Sequence, residues 1–281
     1  MKKEYVIEYY KGMKFYRNAS KTFDKDFETV KAILNKGIEN LTKADRIKLI
    51  MIYKPSYHKS GKIEKITSFD SSATNCKFCE SMRRAAKERA DHICNLCYDK
   101  AQEESFKGVN VLNRHSLNLL IMSSVRFTKE ELALIDVTKL NRINSSGDTE
   151  NEIYAENMIL LIWVNETVRF GYWAKNVIAV IKACRKYGKP TNVTLVQSSL
   201  FINKPSKKAE FFDIVFTVYL DEKDVFEAVK NGSAECNGKK CMDCGFRCYL
   251  KDGWLGFENV AEVLRANKEE KAKIRAFLEN R

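Results

Sequence analysis

Eight of the nine cysteines in this 281-residue chain fall into two short groups. Their spacings, in chain order, are Cys76-x2-Cys79-x14-Cys94-x2-Cys97 and Cys236-x4-Cys241-x2-Cys244-x3-Cys248. A Cys-x2-Cys pair places two sulfur atoms on one tight turn, where both reach one ion, and two such pairs complete a tetrahedral site. The sequence therefore predicts two separate metal sites with cysteine thiolate ligands.

The metal is left open between zinc and iron–sulfur. Zinc takes four thiolates in closed structural sites. Iron–sulfur clusters are also held by cysteine alone, and the Cys-x4-Cys-x2-Cys part of the second group coincides with plant-type ferredoxin spacing. His92 lies two residues before Cys94, where a solvated or backbone-bonded side chain is favoured over a ligand. Cys184 shares a helix face with valine and isoleucine, which predicts a core residue.

Composition limits the class of protein and its compartment. Hydrophobic residues make up 44% and charged residues 31%, which is typical of a soluble globular domain. The start of the chain is basic without an apolar stretch behind it, and the longest apolar run is too short to span a bilayer. We therefore expect a cytoplasmic protein with reduced thiols and no membrane partner. The oligomeric state is left unknown.

The charge of the chain is strongly basic. There are 49 Lys and Arg against 37 Asp and Glu, a formal net charge of +12. This balance is compatible with a nucleic-acid partner and equally with a well-solvated basic surface. Basic residues recur near the cysteines, as do aromatic residues that could stack on bases. These residues are Arg83, Arg84, Lys239, Lys240, Arg247, Tyr98, Tyr249 and Trp254.

The helices and strands that position the cysteines are predicted from the periodicity of the hydrophobic residues. Apolar runs predict strands at residues 117–122, 168–173, 192–197 and 213–219, and the short polar stretch 140–144 is predicted as a strand because it falls at the same spacing. Helical spacing predicts helices at residues 27–34, 43–53, 80–90, 150–163, 176–187 and 258–280, with Thr42 as a helix start. Residues 61–75 read as a loop. Alternating strands and helices predict an α/β fold, with a mostly parallel sheet or a partial βα barrel.

The predicted organisation has three parts. Residues 1–60 form an N-terminal α/β extension, residues 61–255 form the core, and residues 256–281 form a C-terminal helix. The two cysteine-rich segments lie at the two ends of this core. The second of them lies in a loop that contains Gly238 and Gly245.

Polar residues follow the predicted strands at the ends where sites form in parallel α/β architectures. Asp148, after a turn that Gly147 permits, and Lys175 are the candidate catalytic acid and cation. Helix capping is the alternative role for Asp148 and for the asparagine at 176. The candidate substrate-binding residues are Asn144, Ser146, Asn176 and Ser198.

Several enzyme classes lack their motifs here. The chain has no Gly-x-Ser-x-Gly, no P-loop and no Gly-x-Gly-x-x-Gly pattern. These absences argue against a serine hydrolase, a P-loop nucleotidase and a Rossmann dehydrogenase.

Three stretches resemble the gene product 88 family of phages and mobile elements. They are Asn75-Cys-Lys-Phe-Cys with Ile93-Cys-Asn-Leu-Cys-Tyr98, Arg142-Ile-Asn-Ser-Ser-Gly-Asp148, and Cys241-Met-Asp-Cys-Gly-Phe-Arg-Cys-Tyr249. The resemblance covers roughly residues 65–250 and implies a phage, prophage or plasmid origin. The family more commonly has its first cysteines closer together, so either Cys76 or Cys79 could be the ligand partner of the later pair.

A more distant resemblance is to radical S-adenosylmethionine enzymes. They also have cysteines ahead of a partial βα barrel, a glycine–acid motif after the second strand and often a C-terminal auxiliary cluster. Their signature Cys-x3-Cys-x2-Cys, which leaves one iron open to S-adenosylmethionine, is absent here.

Two functions therefore stand as hypotheses, with a third behind them. The favoured one is a metal-cluster enzyme, in which an iron–sulfur cluster and S-adenosylmethionine are candidate cofactors. The alternative is a zinc-stabilised nucleic-acid-binding protein of a mobile element. The third is a phage inhibitor of a host factor, for which the sequence names no partner.

Overall fold

The computed structural model describes residues 5–105, 108–236, 240–244, 248–249 and 257–280. Its strands are β1 Val6–Tyr10, β2 Met13–Arg17, β3 Ser56–Tyr57, β4 Thr67–Phe69, β5 Leu140–Ile143, β6 Arg169–Ala174, β7 Val193–Ser198, β8 Ile214–Tyr219, β9 Ala234–Glu235 and β10 Asn259–Val263. Its helices are α1 Lys21–Leu34, α2 Lys43–Ile52, α3 Lys77–Ala85, α4 Tyr98–Glu104, α5 Val109–Ser124, α6 Lys129–Leu132, α7 Glu152–Val164, α8 Val177–Tyr187, α9 Glu222–Lys230 and α10 Lys268–Glu279.

Eight of these strands form one sheet in the order β3-β4-β5-β6-β7-β8-β10-β9. Only β3 pairs with its neighbour in antiparallel fashion, and the other pairings in this sheet are parallel. From β4 to β8, strands that follow each other in the chain are also neighbours in the sheet. The α/β class and the mostly parallel sheet are therefore confirmed.

The two faces of the sheet carry different layers. Phe170 and Tyr172 of β6 belong to the main hydrophobic core together with the buried sides of α5, α7 and α8. The next residue along the strand, Trp173, points to the opposite face and packs in a second core with Tyr249. Because side chains alternate along a strand, β6 separates a helix-covered face from a face covered by the second cysteine group.

The N-terminal segment packs into the main core. Phe15 of β2 and Phe27 of α1 are fully buried there, with their ring centroids 4.6 Å apart. Strands β1 and β2 pair as a hairpin. Asn75 connects this hairpin to the first cysteine segment, because its side chain donates to the Lys14 carbonyl at 2.8 Å and accepts from the Lys14 amide at 2.9 Å. The predicted start of α2 at Thr42 is confirmed by a capping box with Asp45.

Three predicted elements were wrong. Residues 117–122 lie inside α5 rather than in a strand, since an apolar run does not distinguish a buried helix from a buried strand. The predicted loop at 61–75 contains β4, the first parallel strand, which is only three residues long. The predicted helix at 258–280 begins as β10, which pairs with β8 and β9, and only α10 is helical.

Gly147 is required by the turn that follows β5. Its φ is +72°, and a Cβ there would lie 2.2 Å from Ser71 Oγ and 2.3 Å from the Ser71 carbonyl oxygen. We expect Gly147→Ala to lower the free energy of unfolding by about 2–5 kcal/mol, from left-handed strain and overpacking. Urea denaturation measures this loss.

Gly12→Ala is the matched control for this substitution. Gly12 has a similar φ of +79°, but nothing lies within 4 Å of a Cβ at that position. It should therefore lose only the backbone term, about 1–2 kcal/mol. Equal losses in the two variants would show that the contact with Ser71 has no cost.

Candidate metal and ligand site

A cavity of about 550 Å³ opens at the carboxyl ends of the parallel strands. Gly147 follows β5, Lys175 follows β6, and Val218 lies near the end of β8, so three strands contribute to its wall. Leu264, directly after β10, closes the far side. This is the end of a parallel sheet at which ligand sites form, because loops from several strands converge there.

Three cysteines of the first group line this cavity. Cys79 comes from α3, Cys94 from a 3₁₀ turn at Ile93–Leu96, and Cys97 from the residue before α4. His92 caps the 3₁₀ turn, with Nδ1 accepting the Cys94 amide at 3.2 Å, so its ring is backbone-bonded. The segment following α3 therefore returns two sulfur atoms to the wall on which Cys79 lies.

Cys76 has a different environment from the other three. Its side chain is fully buried in the main core and is absent from the cavity wall. The sulfur caps α3 by accepting the Cys79 amide at 3.3 Å. Burial raises the pKa of the Cys76 thiol well above its ordinary value. Cys76 thus lies off the cavity wall, although its side chain contacts that of Cys79.

Lys175 lines the same cavity, and its charge acts on Cys94 and Cys97. Burial lowers the pKa of its ammonium. Asp148 and the thiolates of Cys94, Cys79 and Cys97 together raise this pKa by more than burial lowers it, so the net shift is upward. Burial raises the pKa of Cys94 to about 11, and Lys175 opposes that rise. The ammonium therefore favours the thiolate forms that metal binding requires.

Asp148 braces the end of the sheet from behind the cavity wall. Its carboxylate is buried and accepts the amides of Thr149 at 2.7 Å, Lys175 at 3.0 Å and Asn176 at 3.3 Å. The Lys175 ammonium lies 3.7 Å away. The alternative prediction that Asp148 caps the next helix was wrong, because Asn151 caps α7.

The candidate substrate-binding residues contact the chain itself. Asn144 donates to the Trp173 carbonyl at 2.9 Å, and the Ser146 amide donates to Asp70 at 2.9 Å. Asn176 caps α8, which confirms its capping role. Ser198 ends β7. None of these four residues lines the 550 Å³ cavity, so their role in binding substrate stays a prediction.

The second cysteine group lines its own small cavity of about 60 Å³. The cysteines on its wall are Cys236, Cys241, Cys244 and Cys248. Trp173 and Tyr249 pack beside them, with ring centroids 5.6 Å apart. Burial raises the pKa of Cys248 to about 12. The parts of this loop at 237–239, 245–247 and 250–256 lie outside the described residues, and with them Gly238, Lys239, Gly245, Arg247 and Trp254.

The two cavities share a wall. Lys62, Arg142 and Glu262 line both. Lys62 pairs with Glu262 at 2.5 Å, and its carbonyl accepts the Cys241 amide at 2.7 Å. The two cysteine groups, which are far apart in the chain, are therefore separated by single side chains in the fold.

A buried polar network behind the first cysteine group was not foreseen from the sequence. Asp70, directly after β4, accepts the hydroxyl of Ser145 and lies 3.9 Å from His115. His115 in turn contacts Glu103 at 3.2 Å. Burial lowers the pKa of His115, but the Glu103 contact and the Asp70 carboxylate raise it more. Recognising β4 would have marked Asp70 as a strand-end carboxylate.

Within the described ranges, no group of three or more His, Cys, Asp or Glu side chains is arranged so that it could hold a metal ion. In the same part of the chain, no helix combines the length and the apolarity that crossing a membrane requires. Comparison with protein-family models, with curated proteins and with solved structures finds no match for this chain. The gene product 88 and radical S-adenosylmethionine resemblances therefore stay predictions.

Proposed function

We propose that this chain is a metal-cluster enzyme in which Cys79, Cys94 and Cys97 hold an iron–sulfur cluster at the carboxyl ends of the parallel strands. The observation that carries the proposal is that these three cysteines share one cavity wall with Lys175, while Cys76 lies in the core. Three thiolates bind a cluster but leave one iron without a protein ligand. An open coordination position is what distinguishes catalytic from closed structural metal sites.

The donor set fits such a cluster in its chemistry, since it consists of cysteines alone, but the three described side chains are not arranged around one metal position. When bound, the cluster would supply one-electron chemistry. With S-adenosylmethionine, the cofactor that the resemblance to radical S-adenosylmethionine enzymes implies, this would be radical chemistry. Lys175 offsets the negative charge of the thiolates, and the backbone bonds of Asp148 fix the position from which Lys175 extends. Apolar side chains of Phe78 and Leu96 line part of the same cavity and would exclude water.

The second cysteine group fits either an auxiliary cluster or a zinc ion. Its four cysteines around a small, mostly apolar cavity are compatible with both. Because Arg142 and Lys62 line both cavities, a metal held by the second cysteine group would lie close to any ligand of the first cavity. This proximity supports a part in the reaction for the second site.

Consumption of S-adenosylmethionine tests the enzyme proposal. Protein reconstituted anaerobically with iron and sulfide, and then reduced with dithionite, should consume S-adenosylmethionine. Cys97→Ala should abolish this consumption, and Cys184→Ala, a buried core thiol on α8, should retain it. Equal turnover in the wild type and in Cys97→Ala would show that the first cysteine site is not the catalytic centre.

A nucleic-acid-binding protein is the second candidate, favoured by one specific observation. Tyr98 is 73% exposed and lines the cavity, as does the basic residue Arg83, in a chain with net charge +12. Such a protein should bind single-stranded DNA or RNA with an affinity that falls steeply with salt. Undetectable or salt-independent binding counts against it. The proposed phage or mobile-element origin rests on the resemblance alone, and no contact in the structure favours a host-factor inhibitor.

A further inference from the structure

Arg142 of β5 is a cation between the two cavities that makes no ion pair with a carboxylate in the described part of the chain, although Cys241, Asp70 and Asp99 act on its charge. Its guanidinium lines both of them. Its Nε is shielded from solvent and has no hydrogen-bond partner, and it makes no ion pair within the described part of the chain. A shielded charge without an ion-pair partner is costly, so such a group is most stable when an anion binds to it.

The surroundings of Arg142 fix how it can bind. The guanidinium carbon lies 4.1 Å from the centre of the Trp173 ring, so one face of the planar group is stacked. Tyr249 and Cys241 lie beside the guanidinium as well. The remaining N–H groups are the part left for a ligand, and guanidinium N–H groups match carboxylate and phosphate oxygens in a bidentate manner. Stacking also reduces the conformational freedom that binding would remove.

The other cations on the wall of the large cavity differ from Arg142. Lys62 and Arg265 both pair with Glu262, at 2.5 Å and 3.0 Å, and Lys175 lies 3.7 Å from Asp148. Arg83 donates to a backbone carbonyl near the entrance. The described lining residues include five cations, namely Lys62, Arg83, Arg142, Lys175 and Arg265, against two carboxylates, Asp99 and Glu262, and the three cysteines of the first group.

We propose that Arg142 anchors the carboxylate or phosphate of a small-molecule substrate in the 550 Å³ cavity. The apolar body of this ligand would lie along Phe78, Leu96 and Leu264, which line the same space. A cavity of this size accommodates a small organic molecule. That the ligand is a substrate rests on the proposed function, but anion binding by Arg142 does not require a cluster.

Probes that share an apolar ring test this inference on the purified full chain. Phenyl phosphate and benzoate represent the two anion sources, and benzyl alcohol is the neutral analogue. By titration calorimetry we expect one or both anions to bind and benzyl alcohol not to bind. Arg142→Met should weaken anion binding by about 10–100-fold, the effect of a lost charge-assisted hydrogen-bond pair, and Arg142→Lys should retain part of it.

Arg169→Met is the matched control, because it removes one charge from the neighbouring strand at a side chain that does not line the cavity. Weakening by both methionine variants alike, or no anion binding by the wild type, would overturn the inference. If Arg142→Met loses metal and the wild type does not bind the anions, Arg142 supports metal binding by the cysteines and is not an anion-binding residue.

Metal content is measured in the same samples to separate the two proposals. Anion binding that depends on Arg142 in protein without iron would support this inference while contradicting the iron–sulfur enzyme. A cluster-containing protein that binds neither anion would do the reverse.

Discussion

Single replacement of Cys79, Cys94 or Cys97 by alanine should remove the iron of the first site, while Cys76→Ala should leave it bound. The reason is the placement of the sulfur atoms, because three of them line the cavity and that of Cys76 is buried in the core as the cap of α3. Two remaining thiolates hold a cluster too weakly to survive purification. Iron and sulfide analysis of each variant after anaerobic reconstitution measures the effect.

Cys76→Ala should instead lose stability. Removing a buried helix cap and leaving a small void should cost about 1–2 kcal/mol in the free energy of unfolding. Cys184→Ala, another buried thiol, is the control that should change neither iron content nor the site. Retention of iron by Cys79→Ala together with its loss from Cys76→Ala would reverse the assignment of ligands.

Asp148→Ala should lower the free energy of unfolding by about 3–5 kcal/mol, the cost of removing one partner from a buried ion pair. The substitution leaves Lys175 without its carboxylate and removes the acceptor of three backbone amides. Asp148→Asn keeps an acceptor oxygen but not the charge, so its loss should be smaller. Urea denaturation compares the two variants.

Glu152→Ala is the control for this prediction. Glu152 pairs with Lys182 on the surface, where both side chains are about half exposed, so its loss should stay within about 1 kcal/mol. The predicted catalytic role of Asp148 gives a different result. An Asp148→Asn variant with wild-type stability that loses turnover would support catalysis and contradict the bracing role.

The regular centre of the fold follows from its sequence pattern. Strands β5 to β8 and helices α7 and α8 have apolar runs and helical spacing of ordinary length, and they lie where these patterns predict them. Strand β4 was missed because it has three residues, two of them serine and threonine, whose burial depends on neighbouring strands. Strand β10 was missed because its pairing with β8 and β9 comes from tertiary structure.

The candidate site was also predicted only in part from the sequence. Spacing identifies the cysteines, since the chemistry of a Cys-x2-Cys pair is local. It does not indicate that Cys76 faces the core, because that depends on how α3 packs. Nor does it indicate the shared wall, since Lys62 and Glu262 are 200 positions apart in the chain. The orientation of Arg142 is fixed by Trp173 of the adjacent strand, a contact that no short motif encodes.

Iron and acid-labile sulfide content of the anaerobically isolated wild-type chain shows whether the first site holds an iron–sulfur cluster. We expect brown protein with about four iron atoms and as much sulfide at the first site, as in a [4Fe–4S] cluster. Zinc or further iron would belong to the second site. Colourless protein that contains zinc without sulfide, even after reconstitution with iron and sulfide, would contradict a cluster at the first site.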